Sequence, residues 1–352
     1  MRKHLLRFAM LLMLVSIACS FPVAPANMPT PQAVSQLQPV LVTPDPNATA
    51  TPTPFQPMGP TSTSIPPTAT VPVVPLPTEP GTEGINMPTP IRIGQKNPKG
   101  QLNMLVLGSD FRPASGYRTD VVMLVSINPE KGRVSVVSFP RDLYVTIPGW
   151  GENRINTAFP HGGFQMMQDT FEYNFGVRPT HYLMTNFQGF TGIVNNLGGI
   201  NVNVGSYLSD SCDLPQAVNG YCTVGAGSNW MDGGMALWYV RSRHTSNDFD
   251  RGRRQQEVLY ALFSRLMSLD AVSRLPEMYG TYQRNVETNL SVNDLAPLLP
   301  VASQVLNDSS HIRRFAIGPR ETTNFITSGG AMVLLPNYEA INAIISQSVY
   351  NP

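Results

Sequence analysis

Three short stretches hold the side chains best suited to chemistry. In the first, Gly108-Ser109-Asp110 closes the apolar run Leu102-Asn103-Met104-Leu105-Val106-Leu107, and Arg118-Thr119-Asp120 follows. In the second, Pro140-Arg141-Asp142 ends another apolar run, with Asn153-Arg154-Ile155-Asn156 a little downstream. The third spans residues 241–255 and carries Arg241, Arg243, Arg251, Arg253 and Arg254 against Asp248 and Asp250, in a chain whose net charge is only +1. A guanidinium stays protonated and offers forked donors that pair two at a time with phosphate oxygens. Several converging on one point suit a pyrophosphate. Asp110 and Asp120 are hard oxygen ligands of the kind Mg²⁺ accepts while keeping waters. Together these describe a phosphoryl-transfer site, where catalysis is mostly positioning and charge neutralisation. Each piece also has a plain structural reading. Asp110 could cap a turn, Arg118 and Asp120 could form a local ion pair, and the arginine run could be a solvated loop neutralised by Asp248 and Asp250.

Such groups need rigid elements beneath them. Leu102 to Gly108, Val121 to Ile127 and Val134 to Phe139 are short β-rich runs, and Asn128-Pro129-Glu130-Lys131-Gly132 joins the last two as a hairpin. Helical spacing is expected over Gln165 to Phe175, Gly189 to Leu197, Met235 to Tyr239, Gln255 to Leu269, Val292 to Leu306 and Tyr338 to Ser346. Strands are expected at His181 to Thr185, Ile200 to Val204 and Ile312 to Ile317. The hairpin excludes a purely parallel sheet. The expected fold is α/β, a mixed β-sheet flanked by helices on both faces in an α-β-α sandwich. Apolar stripes near Phe187, Phe190, Ile193, Val194 and Leu197, and from Val258 to Leu266, could line a lipid slot or be plain core. Cys212 and Cys222 are ten positions apart in a polar segment. In an exported protein a disulfide is the favoured reading, and a metal pair would lack nearby histidines.

Composition divides the chain further. Of its 33 prolines, 19 fall between Phe21 and Pro90, a window with 12 threonines whose only charges are Asp45, Glu79 and Glu83. Alternating Pro and Thr, as in Thr51-Pro52-Thr53-Pro54, favour extended, polyproline-like chain. Residues 20–90 therefore read as a disordered Pro/Thr-rich linker. Before it, Arg2, Lys3 and Arg7 precede an apolar run from Phe8 to Val15, shorter than the ~20 residues needed to span hydrocarbon. This pattern is an export signal over residues 1–19. Ser16-Ile17-Ala18-Cys19 resembles a bacterial lipoprotein signal in which Cys19 is lipidated. An ordinary cleaved signal and an uncleaved short anchor are the alternatives. The folded part then covers residues 91–352, roughly 260 residues and enough for one large domain or two modest ones. With 24 basic against 23 acidic residues, the chain shows no nucleic-acid arm and no acidic tail.

The order of the polar pieces carries a resemblance. Gly108-Ser109-Asp110, Arg118-Thr119-Asp120, Ser126-Ile127-Asn128-Pro129 and Phe139-Pro140-Arg141-Asp142 come first. Arg154-Ile155-Asn156, Asn195-Asn196-Leu197-Gly198-Gly199-Ile200, Ala236-Leu237-Trp238-Tyr239-Val240-Arg241-Ser242-Arg243 and Asp248, Arg251, Arg254 and Gln255 follow. This series resembles the LytR-CpsA-Psr family of bacterial cell-envelope enzymes over about residues 102–269. Thr119 replaces a common serine, and Asn195 stands where the family usually has aspartate. The resemblance implies transfer of a glycopolymer from a polyprenyl-pyrophosphate carrier to peptidoglycan or another wall acceptor, at the outer face of the cell membrane. Carried over by position, Asp110 and Asp120 would hold Mg²⁺. Arg118, Arg141, Arg241, Arg243 and Arg251 would clamp the pyrophosphate, and Gln255 would hydrogen-bond it, with Asp110, Asp120, Arg118 and Arg141 nearest the chemistry. Hydrolysis of the same carrier, or binding without turnover, are the competing readings.

Overall fold

A computed structural model describes residues 87–90, 97–110, 117–243, 248–268 and 285–351. The expected signal with Cys19, and nearly all of the linker, lie outside the described residues. Among the described residues no helix is long and apolar enough to cross a membrane.

The chain opens with β1 (Leu102–Ser109), β2 (Thr119–Asn128) and β3 (Arg133–Phe139), then a hairpin of β4 (Tyr144–Ile147) and β5 (Gly151–Arg154). Helix α1 (Ala158–Phe175), β6 (His181–Asn186) and α2 (Phe187–Asn196) follow. Next come β7 (Ile200–Val204), β8 (Leu208–Ser211), β9 (Tyr221–Val224) and β10 (Gly227–Met231), leading into α3 (Gly233–Arg241) and α4 (Asp248–Leu266). The remainder comprises β11 (Glu287–Thr288), α5 (Leu299–Asn307), β12 (Ile312–Ala316), β13 (Thr322–Ile326), β14 (Met332–Pro336) and α6 (Tyr338–Ile345).

Six strands form the central sheet in the order β11-β6-β1-β2-β3-β12. The pairs β1/β2, β2/β3 and β6/β11 are antiparallel, whereas β1/β6 and β3/β12 are parallel. The sheet is mixed, as the early hairpin requires. Strand side chains alternate between faces, so Leu105, Leu107, Val122, Leu124, Val137 and Phe139 point one way. They bury against Met167, Phe171 and Phe175 of α1 and Ile341 and Ile345 of α6. On the opposite face Met123, Val125 and Val136 meet Met104, Val106 and Leu259 of α4. Helices therefore cover both faces. A second core joins Val194, Ile200, Val202, Val204, Leu208, Met231, Tyr239, Val258 and Ala261, which seats β7–β10, α2 and α3 on α4. Val194, Leu197 and Val258 are thus packed core, while Phe187, Phe190 and Ile193 are only half-buried.

Differences from the expected elements have local causes. Helix α1 begins at Ala158 rather than Gln165, because Gly162 and Gly163 kink it with non-helical backbone angles. It ends on Gly176, whose φ of 70° is the left-handed conformation that glycine adopts without strain. The expected helix over Val292 to Leu306 is broken into Val292–Leu295, a tight turn at Ala296–Leu298 and α5, where Pro297 and Pro300 interrupt backbone pairing. Helix α4 begins at Asp248, so residues 248–255 of the arginine run are helical rather than a solvated loop. Only the half beyond Gln255 has an apolar face to announce it. Cys212 and Cys222 are joined as a disulfide with their Cα atoms 5.4 Å apart, pinning the β8–β9 hairpin.

Candidate functional site

Strands β1, β3, β6 and β12 run in one direction and β2 in the other. Their C-terminal ends therefore share an edge with the start of β2, the edge where open α/β sheets bind ligands. Asp110 follows β1, Arg118 precedes β2, Arg141 follows β3 and Phe187 follows β6. Gly108-Ser109-Asp110, Arg118-Thr119-Asp120 and Pro140-Arg141-Asp142, scattered along the chain, meet the sheet at this edge.

The geometry there begins with a bulge. Gly108 pairs with Val121 but Ser109 pairs with Thr119, so Asp120 is the extra residue on β2. A bulge re-aims a side chain that regular alternation would have fixed. Asp120 turns to Arg141, whose Nη1 lies 2.9 Å from Asp120 Oδ1. Arg141 Nε is 3.4 Å from Asp142 Oδ2, and Asp142 Oδ1 is 3.2 Å from Arg154 Nε. That last contact is ionic rather than an aligned hydrogen bond, since among the described residues Arg154 Nε has no hydrogen-bond partner. Arg154 Nη2 donates to the Met332 carbonyl at 2.8 Å. Two carboxylates and two guanidiniums thus alternate along the edge, each 21–28% exposed.

Asp110 is only 5% exposed. Its Oδ1 accepts the Arg118 backbone N–H at 3.1 Å, and its own N–H donates to the Arg118 carbonyl at the same distance. The Arg118 side chain is exposed. Asn156 ties two strand ends together: its carbonyl accepts from Thr119 Oγ1 at 3.1 Å, and its N–H donates to the Arg141 carbonyl at 3.4 Å. Among the described residues its buried Oδ1 has no partner.

Helices α3 and α4 deliver the remaining arginines. Arg241, the last residue of α3, stacks 4.4 Å above the Phe187 ring and so sits at the end of β6. Arg243 is exposed, and its backbone N–H donates to Asp210 Oδ2 at 2.8 Å. Helix α4 is fastened over the ends of β3 and β12, because Gln256 Nε2 donates to Ser138 Oγ and to the Phe315 carbonyl, both at 2.7 Å. Gly252 lies against Ser138, where an added Cβ would stand 3.6 Å from the serine Cβ. Arg251 is buried at 8% exposure and Gln255 half-buried, one turn apart on α4. Arg254 is almost wholly enclosed, and its Nη2 donates to the Ser242 carbonyl at 2.5 Å. Burial pushes its pKa below the ordinary guanidinium value.

The far side of α4 is held by a separate network. Glu257 accepts from Arg253 at 2.6 Å, from the Tyr239 hydroxyl at 2.6 Å and from the Gly205 N–H at 3.2 Å. Burial, then Glu257, pushes the Tyr239 hydroxyl well above its ordinary pKa.

Asp120 and Arg141 are therefore in direct contact, and Asp110 and Arg118 lie on the adjoining strand ends. Arg241 reaches the same edge through α3, and α4, which carries Arg251 and Gln255, is fastened over the ends of β3 and β12. Sequence alone assigns no role to Asp142, Arg154 or Asn156, although all three belong to the second polar stretch. Among the described residues no group of three or more His, Cys, Asp and Glu side chains could hold a metal alone. Two carboxylates at neighbouring strand ends fit a cation that takes its other ligands from phosphate and water.

Comparison with known proteins gives a consistent picture. A family model described as the LytR_cpsA_psr family matches residues 82–344. The chain is 32% identical over 217 residues to the polyisoprenyl-teichoic acid–peptidoglycan teichoic acid transferase TagT of Bacillus subtilis, a match covering 59% of this chain and 66% of TagT. It is 31% identical over 194 residues to the regulatory protein MsrR of Staphylococcus aureus, covering 54% and 57% of the two chains. The match thus spans less than two thirds of these curated relatives. Among solved structures, TagT bound to LIIa-WTA superposes with a TM-score of 0.55 at 25% identity, over 74% of this chain and 95% of that one. The structure of Bacillus subtilis TagV gives 0.59 at 23% identity, over 70% and 96%, a likeness of fold.

Proposed function

The chain belongs to the LytR_cpsA_psr family, and from that premise we propose that it transfers a glycopolymer from a polyprenyl-pyrophosphate carrier to peptidoglycan or another wall acceptor. The observation that carries this reading is the placement of Asp110, Asp120, Arg118 and Arg141 at neighbouring strand ends of one sheet edge, with Arg241 stacked on Phe187 at the end of β6. The name of TagT, a teichoic acid transferase acting on peptidoglycan, supports the choice of donor and acceptor.

In this reading an acceptor hydroxyl attacks the glycan-bearing phosphorus. A new P–O bond forms to the acceptor, the bond to the bridging oxygen breaks, polyprenyl phosphate leaves and the hydroxyl proton is released. Negative charge spreads over the phosphoryl oxygens as the bridge breaks, and preorganised cations are what lower that barrier. Arg118, Arg141, Arg241, Arg243 and Arg251 clamp those oxygens, and Gln255 donates an amide hydrogen bond. Asp142 and Arg154 keep the Arg141 fork oriented, so it need not reorganise during the reaction. Asp110 and Asp120 are the residues that would hold Mg²⁺, which would neutralise charge on the pyrophosphate. The protein works at the outer face of the cell membrane, tethered through a lipid on Cys19 and spaced from it by the Pro/Thr-rich linker.

The test is a mass balance. The full chain is incubated with a polyprenyl-pyrophosphate glycan and peptidoglycan, and released polyprenyl phosphate is compared with wall-bound glycan. Equal amounts are expected. Release without an acceptor would make the protein a hydrolase, and binding without release would make it a non-catalytic binder.

A further inference from the structure

Asp210 is a carboxylate buried at 3% exposure on β8, a strand of only four residues. Taking a carboxylate out of water is costly unless donors surround it. Its Oδ1 accepts the Ser211 N–H at 2.7 Å and the Ser211 hydroxyl at 3.3 Å. Its Oδ2 accepts the backbone N–H of Arg243 at 2.8 Å. Helix α3 ends at Arg241, and Ser242 turns the chain out of it with a ψ of 138°. Asp210 therefore supplies the acceptor that a further helical turn would have given the Arg243 N–H.

The rest of the β8–β9 hairpin grips the same helix. Trp238, one turn before Arg241, donates from Nε1 to the Ser211 carbonyl at 3.0 Å. In the loop closed by Cys212 and Cys222, Leu214 lies against Gly234, where an added Cβ would stand 3.2 Å from the leucine Cδ2. Gln216 Nε2 in that loop donates to Asp232 Oδ2 at 2.9 Å. Asp232 caps the start of α3, its Oδ1 accepting the Met235 N–H at 2.8 Å. An isolated hairpin of such short strands is marginal. The disulfide stiffens this one at the place that matters, because Cys222 stands directly opposite Asp210. Both ends of α3 are thus fixed to one stapled hairpin, and Arg241 is the last residue of that helix, 4.4 Å above Phe187.

Apolar packing through Leu208 and Val224 already seats the hairpin in the second core. The buried carboxylate adds something packing does not, a fixed point on the backbone two residues beyond Arg241. We propose that Asp210 is a positioning residue: through the Arg243 N–H it sets the path of residues 241–243, and so the direction in which the Arg241 and Arg243 side chains leave the backbone. This role rests on the proposed function, in which those two guanidiniums clamp the pyrophosphate. Groups held in place beforehand lose less freedom when the ligand arrives.

The test compares the full chain with Asp210→Ala and Asp210→Asn. Amide hydrogen exchange at Arg243, read by NMR, should be slow in the parent and about ten-fold or more faster in Asp210→Ala. Asp210→Asn keeps one acceptor oxygen in nearly the same shape, so its exchange should lie between the two, and it carries the comparison if the alanine variant unfolds. Calorimetry with a short-chain prenyl pyrophosphate should show Asp210→Ala binding about ten-fold more weakly than the parent. In a background of Arg241→Ala with Arg243→Ala, adding Asp210→Ala should change binding by less than about two-fold, because no guanidinium is left there to aim. A general loosening of the fold would instead weaken both backgrounds alike, and that result would overturn the proposal. So would parent-like exchange at Arg243 in both Asp210 variants. If the parent binds no prenyl pyrophosphate while Asp210 still governs the Arg243 amide, the proposed function fails and the brace on residues 241–243 stands.

Discussion

Arg141 is the residue whose replacement best separates electrostatics from packing. Its pairs with Asp120 and Asp142 are part exposed, at 22% for the arginine, so they contribute at most about 1 kcal/mol to stability. Arg141→Ala should therefore melt close to the parent yet lose about 100-fold or more in transfer rate. Arg141→Lys keeps the charge but cannot fork between two carboxylates, and its rate should fall between those two. Equal rates for the parent and Arg141→Ala would remove the residue from the site. Tyr182 sets a pH limit on the fold. Burial, reinforced by its hydrogen bond to Glu287, pushes the phenol up to about 12. From pH ~10, where an unfolded tyrosine ionises, up to about 12, the folded protein keeps a proton that the unfolded chain releases. Stability should fall as pH rises through that window. Tyr182→Phe should flatten this loss in denaturant titrations taken across the same range, and an identical slope would contradict the assignment.

At the scale of elements, α4 is the part that most needs its anchors. Gln256 bridges β3 and β12 from a buried position. Gln256→Ala leaves Ser138 and a strand carbonyl without that donor, at a cost of about 1–3 kcal/mol. It should also reduce transfer, because Arg251 and Gln255 ride on the same helix. A stability loss with full activity would show that α4 placement is not limiting. Replacing both Cys212 and Cys222 with serine should cost roughly 2–3 kcal/mol, the value for so short a closed loop, as read by denaturant midpoint. Elements were legible where burial imposes a period. Strands β1 to β3 are long enough for apolar runs, and the later turns of α4 carry a clear stripe. The hairpins β4–β5, β8–β9 and β13–β14 have strands of only four or five residues. Their apolar and polar positions are set by neighbours far along the chain, so no local pattern announces them. The first turns of α4 were hidden for the opposite reason: arginine is a good helix former, but a run of charges has no apolar face to show it.

Across the whole molecule, the candidate site was legible in residue types and order but not in contact. The sequence placed Asp110, Asp120 and Arg141 at strand ends, because apolar runs stop just before or just after them. It could not show that Asp120 occupies a bulge, or that Arg141 and Arg154 share Asp142, since both follow from strand pairing. The near-neutral net charge also concealed the arginine edge, because a sum over the chain discards position. If Asp110 and Asp120 hold Mg²⁺, transfer should cease with a chelator and return on adding Mg²⁺, with the melting temperature little altered. Persistence of transfer in chelator would leave the carboxylates an orienting role only. The proposed function requires that segments far apart in sequence form a single pyrophosphate site. The most direct measurement is calorimetric binding of a short-chain prenyl pyrophosphate to the parent and to Arg141→Ala, Arg241→Ala and Arg251→Ala. Each variant should bind about ten-fold or more weakly. Parent-like binding by the Arg241 and Arg251 variants, with loss confined to Arg141, would contradict the single site.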